Sequence, residues 1–496
     1  MLDGFRQSRW ATPLTLAVLA LATLLANACG RATFPFWPDE AYTALAARAR
    51  DWNELLTIVL RNEATPPLYF ALARLWAIVW GEASEASLRL FSAACLAGTV
   101  PLVGWLGQRL WSRKVGLAGA LLLAVNPFAH YYGQEARVYA FTLLVASAVM
   151  LAAHTYLHSP RPSSWAVYVS TGAALLYTNY FAGFALAGIA AWVGLLLLKR
   201  EQNWRKRLMG LGKWGLAHLA ILLLLAPWLP GAVYQQVAVA VPTLTPEGRN
   251  ILLQYMLALL VLGGSLPDGS LAGAVLVVLV ALALLSALAL ALRRGDLEQR
   301  TFIATTVLAP PLLVLLVVFR GDAQFNTRYI LPSLPAYVLL MAAGLGQSWR
   351  WQRVTRVLLA ATAILSLVYC FAAAPNSRRL GGWDKMARIV ETQARDTEDG
   401  GDAVFIAPPW ARPAFTVQYT GDLPVHGAES FAAYYYEQQH AFDENLDTAA
   451  LHTHLQRGGR AWIAWDRVYA PRPELPAGVK VEEYTFGSTS LLIVNY

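Results

Sequence analysis

Long apolar runs, broken by short polar segments that are mostly basic, dominate the chain up to about residue 375. Each run approaches the ~20 residues a helix needs to cross a bilayer core. The pattern predicts eleven spans, at 11–29, 87–107, 115–131, 138–156, 166–179, 181–198, 214–232, 271–292, 302–319, 329–347 and 356–374. Two further apolar stretches, 66–81 and 250–264, are read as juxtamembrane or partly inserted helices. Counting 66–81 as a span would turn every later loop to the other side. After Pro375 the pattern changes. Helical stretches around 383–396, 409–419 and 447–457 lie between short apolar runs beginning near Asp402, Arg460 and Ser490, which read as strands. The expected fold is an all-α polytopic membrane domain, 1–375, with juxtamembrane helices in the first outer loop, 31–86. A small α/β domain, 376–496, follows it.

Composition agrees. Of 496 residues, 57% are hydrophobic and only 14% charged, and mean hydropathy is +0.43. Soluble proteins carry roughly 25% charged residues. The first span, preceded by Arg6 and Arg9, resembles a signal peptide. It is read instead as an uncleaved helix, because it is long enough to span and no clear small-residue cleavage site follows. Cys29, Cys95 and Cys370 all lie in apolar spans, so neither a disulfide framework nor a metal cluster is legible.

A net charge of +8 would suggest a nucleic-acid partner in a soluble protein, but its distribution here speaks of orientation. Eighteen of the 39 Lys and Arg residues crowd into six short segments, 1–10, 108–114, 157–165, 199–213, 293–300 and 348–356. The positive-inside rule turns those loops to the cytoplasm. The N-terminus is then cytoplasmic, the protein is multi-pass in the cell membrane, and the C-terminal domain is extracytoplasmic. The first loop, with Asp39, Glu40, Asp51, Glu54, Glu63, Glu82 and Glu85, falls outside.

Five polar interruptions on that outer side are candidates for chemistry. The first is Asp39-Glu40, set among Phe36, Trp37 and Pro38; a helix N-cap is the simpler reading of that pair. The second runs from Asn62 and Glu63 to Pro66-Pro67 and suits a helix start, with Glu63 a weaker candidate for a divalent metal. Third, Tyr132, Glu135, Arg137 and Tyr139 make an aromatic, charged patch suited to a sugar, or to interfacial anchoring. Fourth, Asn179 lies between two tyrosines, Tyr177 and Tyr180. Fifth, Arg320 and Arg328 bracket a short outer loop, against the charge trend, and guanidinium groups suit phosphate. Arg249 is a further candidate. His452 and His454, in the C-terminal domain, are too few for a metal site without other ligands.

The ordered motifs resemble the GT-C type of integral-membrane glycosyltransferase, in particular the protein O-mannosyltransferase and aminoarabinose-transferase-like group. They are Phe36-Trp-Pro-Asp-Glu-Ala-Tyr42, Thr65-Pro-Pro-Leu-Tyr-Phe70, Ser84-Glu-Ala-Ser-Leu-Arg-Leu90, Tyr132-Gly-Gln-Glu-Ala-Arg-Val-Tyr139 and Arg328-Tyr-Ile-Leu-Pro332. The resemblance implies a polyprenyl-phosphate-linked sugar as donor and a protein, lipid or cell-envelope glycan as acceptor. It implies a base at Asp39 with Glu40 beside it, and active-cavity roles for Glu135 and Arg137. Two positions depart from the pattern. Thr65 stands where many relatives have His or Lys, and Asn179 where many have His. Two other classes compete with this one: a lipid or sugar transporter or flippase, and a non-catalytic assembly subunit. Few ionisable residues lie within the spans, where transporters usually keep coupling sites.

Overall fold

The computed structural model describes residues 11–29, 34–200, 202–239, 288–289, 292–320, 327–347, 381–394, 401–430, 432–433, 446–467 and 470–496. The expected spans at 271–292 and 356–374, the stretch 250–264 and the candidate Arg249 lie wholly or almost wholly outside these residues. The chain divides into two compact units. One comprises 1–29, 90–229 and 241–373; the other comprises 30–89, 230–240 and 374–496.

The first unit is helical. Among the described residues, four helices are long and apolar enough to cross a membrane: Glu85–Leu110, Val138–His158, Ala182–Arg200 and Trp204–Ala238. Ala11–Ala28 and Pro162–Leu176 accompany them. Several helices leave leucines bare, among them Leu14, Leu21 and Leu25 on one helix and Leu216, Leu219 and Leu223 on another. Such faces suit hydrocarbon rather than water. Glycines bring Glu85–Leu110 against Arg113–Ala124: a Cβ on Gly116 would lie 2.3 Å from the Gly104 carbonyl oxygen. Small residues at membrane helix interfaces work in this way.

One expected span is not continuous. In place of 115–131 stand two helices, Arg113–Ala124 and Pro127–Gly133. Pro127 has no N–H to donate, and its ring pushes Asn126 out of the helical region to ψ 121°. The Asn126 side chain then caps the second helix, accepting from the Ala129 N–H. A second irregularity, a wide π-type turn at Ile303–Leu308, precedes Pro310 and Pro311, whose missing N–H groups break the α ladder.

In the second unit three helices, Pro38–Arg48, Trp52–Asn62 and Leu68–Trp80, pack through buried Leu55, Val59, Tyr69, Phe70 and Ala73. At 13 residues, Leu68–Trp80 is short for a span. The same unit holds a five-stranded sheet of order β2-β1-β3-β5-β4, from β1 (Ala403–Ala407), β2 (Val425–His426), β3 (Ala461–Asp466), β4 (Lys480–Phe486) and β5 (Thr489–Asn495). β1 is parallel to β2 and β3; β5 is antiparallel to β3 and β4. Every residue of β1 and β3 is buried, so the sheet centre reads as apolar runs.

The sequence places a domain boundary at 375 and assigns the first loop to the membrane domain. In the structure the loop belongs with the C-terminal residues. The Tyr42 hydroxyl donates to the Trp410 carbonyl at 2.6 Å, Arg48 to the Val417 carbonyl at 2.9 Å, and Gln418 to the Glu85 carboxylate at 2.6 Å. Gln235, 1% exposed, donates to the carbonyls of Val59 and Thr65. All but the bond to Glu85 satisfy main-chain carbonyls that a loop would otherwise leave to water.

Candidate active site

The Asp39 segment is built around an arginine that the sequence does not single out. Arg89, one turn into Glu85–Leu110, is 5% exposed. Its Nε donates to Glu40 Oε1 at 3.0 Å and its Nη2 to Oε2 at 2.6 Å. Its Nη1 and Nη2 also bond the Phe34 and Pro35 carbonyls at 2.8 and 3.2 Å, and its guanidinium lies over the Phe36 ring. A planar fork meeting a carboxylate bidentately is the geometry a buried ion pair needs to offset its desolvation. Arg89 thereby fastens the irregular run Phe34–Phe36 and the helix after it.

That helix starts with Trp37 as N-cap and Pro38 in its first turn, so Asp39 is not the cap. Asp39 and Glu40 sit in the first turn, where the helix dipole favours negative charge. Glu40 is 1% exposed and gripped by Arg89; Asp39 is partly exposed. The two acids thus differ in surroundings although they are neighbours in sequence. Glu63, 3% exposed, caps the C-terminus of Trp52–Asn62.

In the first unit, the sequence run from Tyr131 to Tyr139 folds as a tight cluster. Tyr132 contacts Tyr139 with ring centres 4.5 Å apart, and meets Phe128 and Tyr131 edge-on. Arg328 donates to the Tyr139 hydroxyl at 2.7 Å, and its guanidinium lies over the Tyr139 and Tyr329 rings. Tyr329 stacks on Phe181 at 3.7 Å. Glu135 and Arg137 are buried in the turn before Val138–His158. Behind them His130 accepts at Nδ1 from Asn27 (2.9 Å) and, as a neutral ring, donates from Nε2 to the Ala124 carbonyl (2.6 Å). Gly133 lets Asn27 approach: a Cβ there would lie 2.8 Å from its Oδ1.

Asn179 accepts from the Phe181 N–H and so shapes the turn between Pro162–Leu176 and Ala182–Arg200. Arg320 ends the helix Ala309–Arg320. His454 donates to the Arg460 carbonyl, while His452, two residues away on the same helix, is exposed.

The family model described as dolichyl-phosphate-mannose-protein mannosyltransferase matches residues 64–230. No curated protein matches significantly. Among solved structures, the crystal structure of ArnT from Cupriavidus metallidurans bound to undecaprenyl phosphate superposes with a TM-score of 0.61 at 12% identity, over 99% of each chain. Nearly the whole chain shares the fold of that GT-C structure, and residues 64–230 match the family model. The arabinofuranosyltransferase AftD from Mycobacteria shares that GT-C architecture at TM-score 0.52 and 14% identity, over 99% of this chain and 40% of that one. The archaeal oligosaccharyltransferase AglB from Archaeoglobus fulgidus, in complex with an inhibitory peptide and a dolichol-phosphate, gives 0.50 at 12% identity, over 92% and 70%.

Proposed function

We propose that this chain transfers a sugar from a polyprenyl-phosphate-linked donor to an acceptor hydroxyl at the outer face of the cell membrane. The acceptor oxygen bonds to the anomeric carbon as the bond from that carbon to the phosphate oxygen breaks, with inversion. The electron pair leaves with the lipid phosphate, and the acceptor proton goes to a carboxylate. Asp39 is that base. A positioned carboxylate contributes typically 10²–10⁴-fold to such a step. Glu40, held by Arg89, sets the helix start and so aims its neighbour.

Arg328 supports the departing phosphate, with Arg320 and Arg249 as further candidates. Preorganised donors aimed at developing charge are commonly worth a few kcal/mol each. Glu135, Arg137, Tyr132, Tyr139 and Asn179 form the sugar-facing wall, where tyrosine rings offer stacking and hydroxyls offer hydrogen bonds. The likeness of nearly the whole chain to a polyprenyl-phosphate-binding GT-C protein is the observation that carries this reading. The acceptor is a protein, a lipid or a cell-envelope glycan.

The test is sugar transfer in proteoliposomes supplied with polyprenyl-phosphate sugars. Wild type should transfer and Asp39→Asn should transfer about 10²–10⁴-fold more slowly, with equal expression and melting temperature. Near-wild-type transfer by Asp39→Asn would remove the base assignment. Movement of lipid across the bilayer without transfer would point to the flippase class instead.

A further inference from the structure

The helix Val138–His158 carries Arg137 just before its first turn, and His154 and His158 in its last two turns. Those ends are about 30 Å apart at 1.5 Å per residue. His154 and His158, four residues apart, share a face, and their rings stack at 4.2 Å. Both turn Nε2 toward Glu298: His154 lies 3.8 Å from Oε1 and His158 lies 3.3 Å from Oε2. Glu298 is 8% exposed and stands in the first turn of Leu297–Phe302, a helix whose start is fixed by a capping box between Asp296 and Gln299. Arg200, the last residue of Ala182–Arg200, donates to Oε2 at 2.7 Å. Oε1 is buried with no hydrogen-bond partner among the described residues.

The protons make this cluster informative. His158 Nδ1 lies 3.1 Å from the His154 carbonyl, which only accepts, so Nδ1 carries the hydrogen. That leaves Nε2 as the His158 ring nitrogen turned to the carboxylate and able to ligate a metal. The Oε1 of Glu298, buried and unpartnered among the described residues, is the carboxylate atom left for an ion.

We propose that His154 Nε2, His158 Nε2 and Glu298 Oε1 bind one Zn²⁺ ion, with water as fourth ligand. The three residues each offer a ligand atom, and these lie within 4.8 Å of one another. Tetrahedral zinc with bonds of about 2.0–2.2 Å spaces its ligands by about 3.3–3.6 Å, so small side-chain shifts close the site. Two histidines and a glutamate are a known zinc set. Arg200 holds the oxygen the ion does not use, as the outer partners of ligating carboxylates do. His158 is partly open to solvent and provides the way in. The ion ties the end of one membrane helix to the start of another. It stands a helix length from Arg137, so it serves the scaffold rather than sugar transfer.

The test uses full-length protein in detergent, purified on a tag without histidine and stripped with chelator. Zn²⁺ is titrated against a chromophoric competitor, and Co²⁺ absorption is recorded. Wild type should take up about one ion per chain and give the visible bands of four-coordinate Co²⁺. Arg200→Ala should weaken binding 10–100-fold. Glu298→Gln and the double variant His154→Ala/His158→Ala should lose the site. No stoichiometric ion in wild type overturns the proposal, as does equal affinity in Glu298→Gln. Should a variant fail to run as a single species on size exclusion, the wild-type Co²⁺ spectrum decides, and absence of those bands overturns the proposal.

Discussion

Arg89 and Arg328 are the same residue put to different uses. Arg89 is almost fully buried and places four hydrogen bonds on the Glu40 carboxylate and two main-chain carbonyls. Arg328 is partly buried, bonds a phenol and lies across two ring faces. A carboxylate accepts the guanidinium's fork bidentately; a phenol takes one hydrogen bond and ring faces take the cation through their π electrons. The first arrangement holds a chain segment in shape. The second seats a guanidinium against an aromatic wall, and the proposed phosphate role rests on that placement.

Four substitutions break or sharpen that contrast. Asp39→Asn should cut transfer by about 10²–10⁴-fold at unchanged stability, measured as turnover beside thermal unfolding. Arg89→Ala should cost about 3–5 kcal/mol of stability by stranding the Glu40 charge, with a lowered unfolding midpoint as readout. If the midpoint does not move, Arg89 is not the fastening described here. Arg328→Ala should lower turnover by a few kcal/mol of barrier, and its defect should appear in donor rather than acceptor kinetics. A purely acceptor-side defect would end the phosphate role. Tyr139→Phe removes only the hydroxyl that Arg328 bonds, and should cost about 1 kcal/mol in whichever quantity it affects. An Arg328 whose effect is mainly on stability would collapse the contrast between the two arginines.

The order of apolar runs made the membrane helices legible, because a bilayer demands ~20 apolar residues wherever a helix crosses it. The strands at Ala403, Ala461 and Thr489 were also legible as apolar runs. β4 was not: its Lys480–Phe486 pattern is largely exposed and polar, and it is recognisable as a strand only by its pairing with β5. The break at Asn126-Pro127 had its signal in the proline, which the surrounding hydrophobicity obscured. Arg89 had a signal too, a lone arginine one turn into an apolar helix. Its meaning needed the partner at Glu40, 49 residues earlier in the chain.

Sequence by itself determined the class of protein, the turn-prone aromatic and acidic interruptions, and the ordered motifs. These are local properties, set by side-chain hydropathy and backbone preference within a few residues. The tertiary structure alone decided which residues act together. It separated Glu40 from Asp39 by giving one of them Arg89. It joined the first loop to the segment Trp410–Gln418, and it gathered His154, His158 and Glu298 from two helices far apart in sequence. Ion pairs and hydrogen bonds of that range depend on where helices cross, which no local pattern encodes.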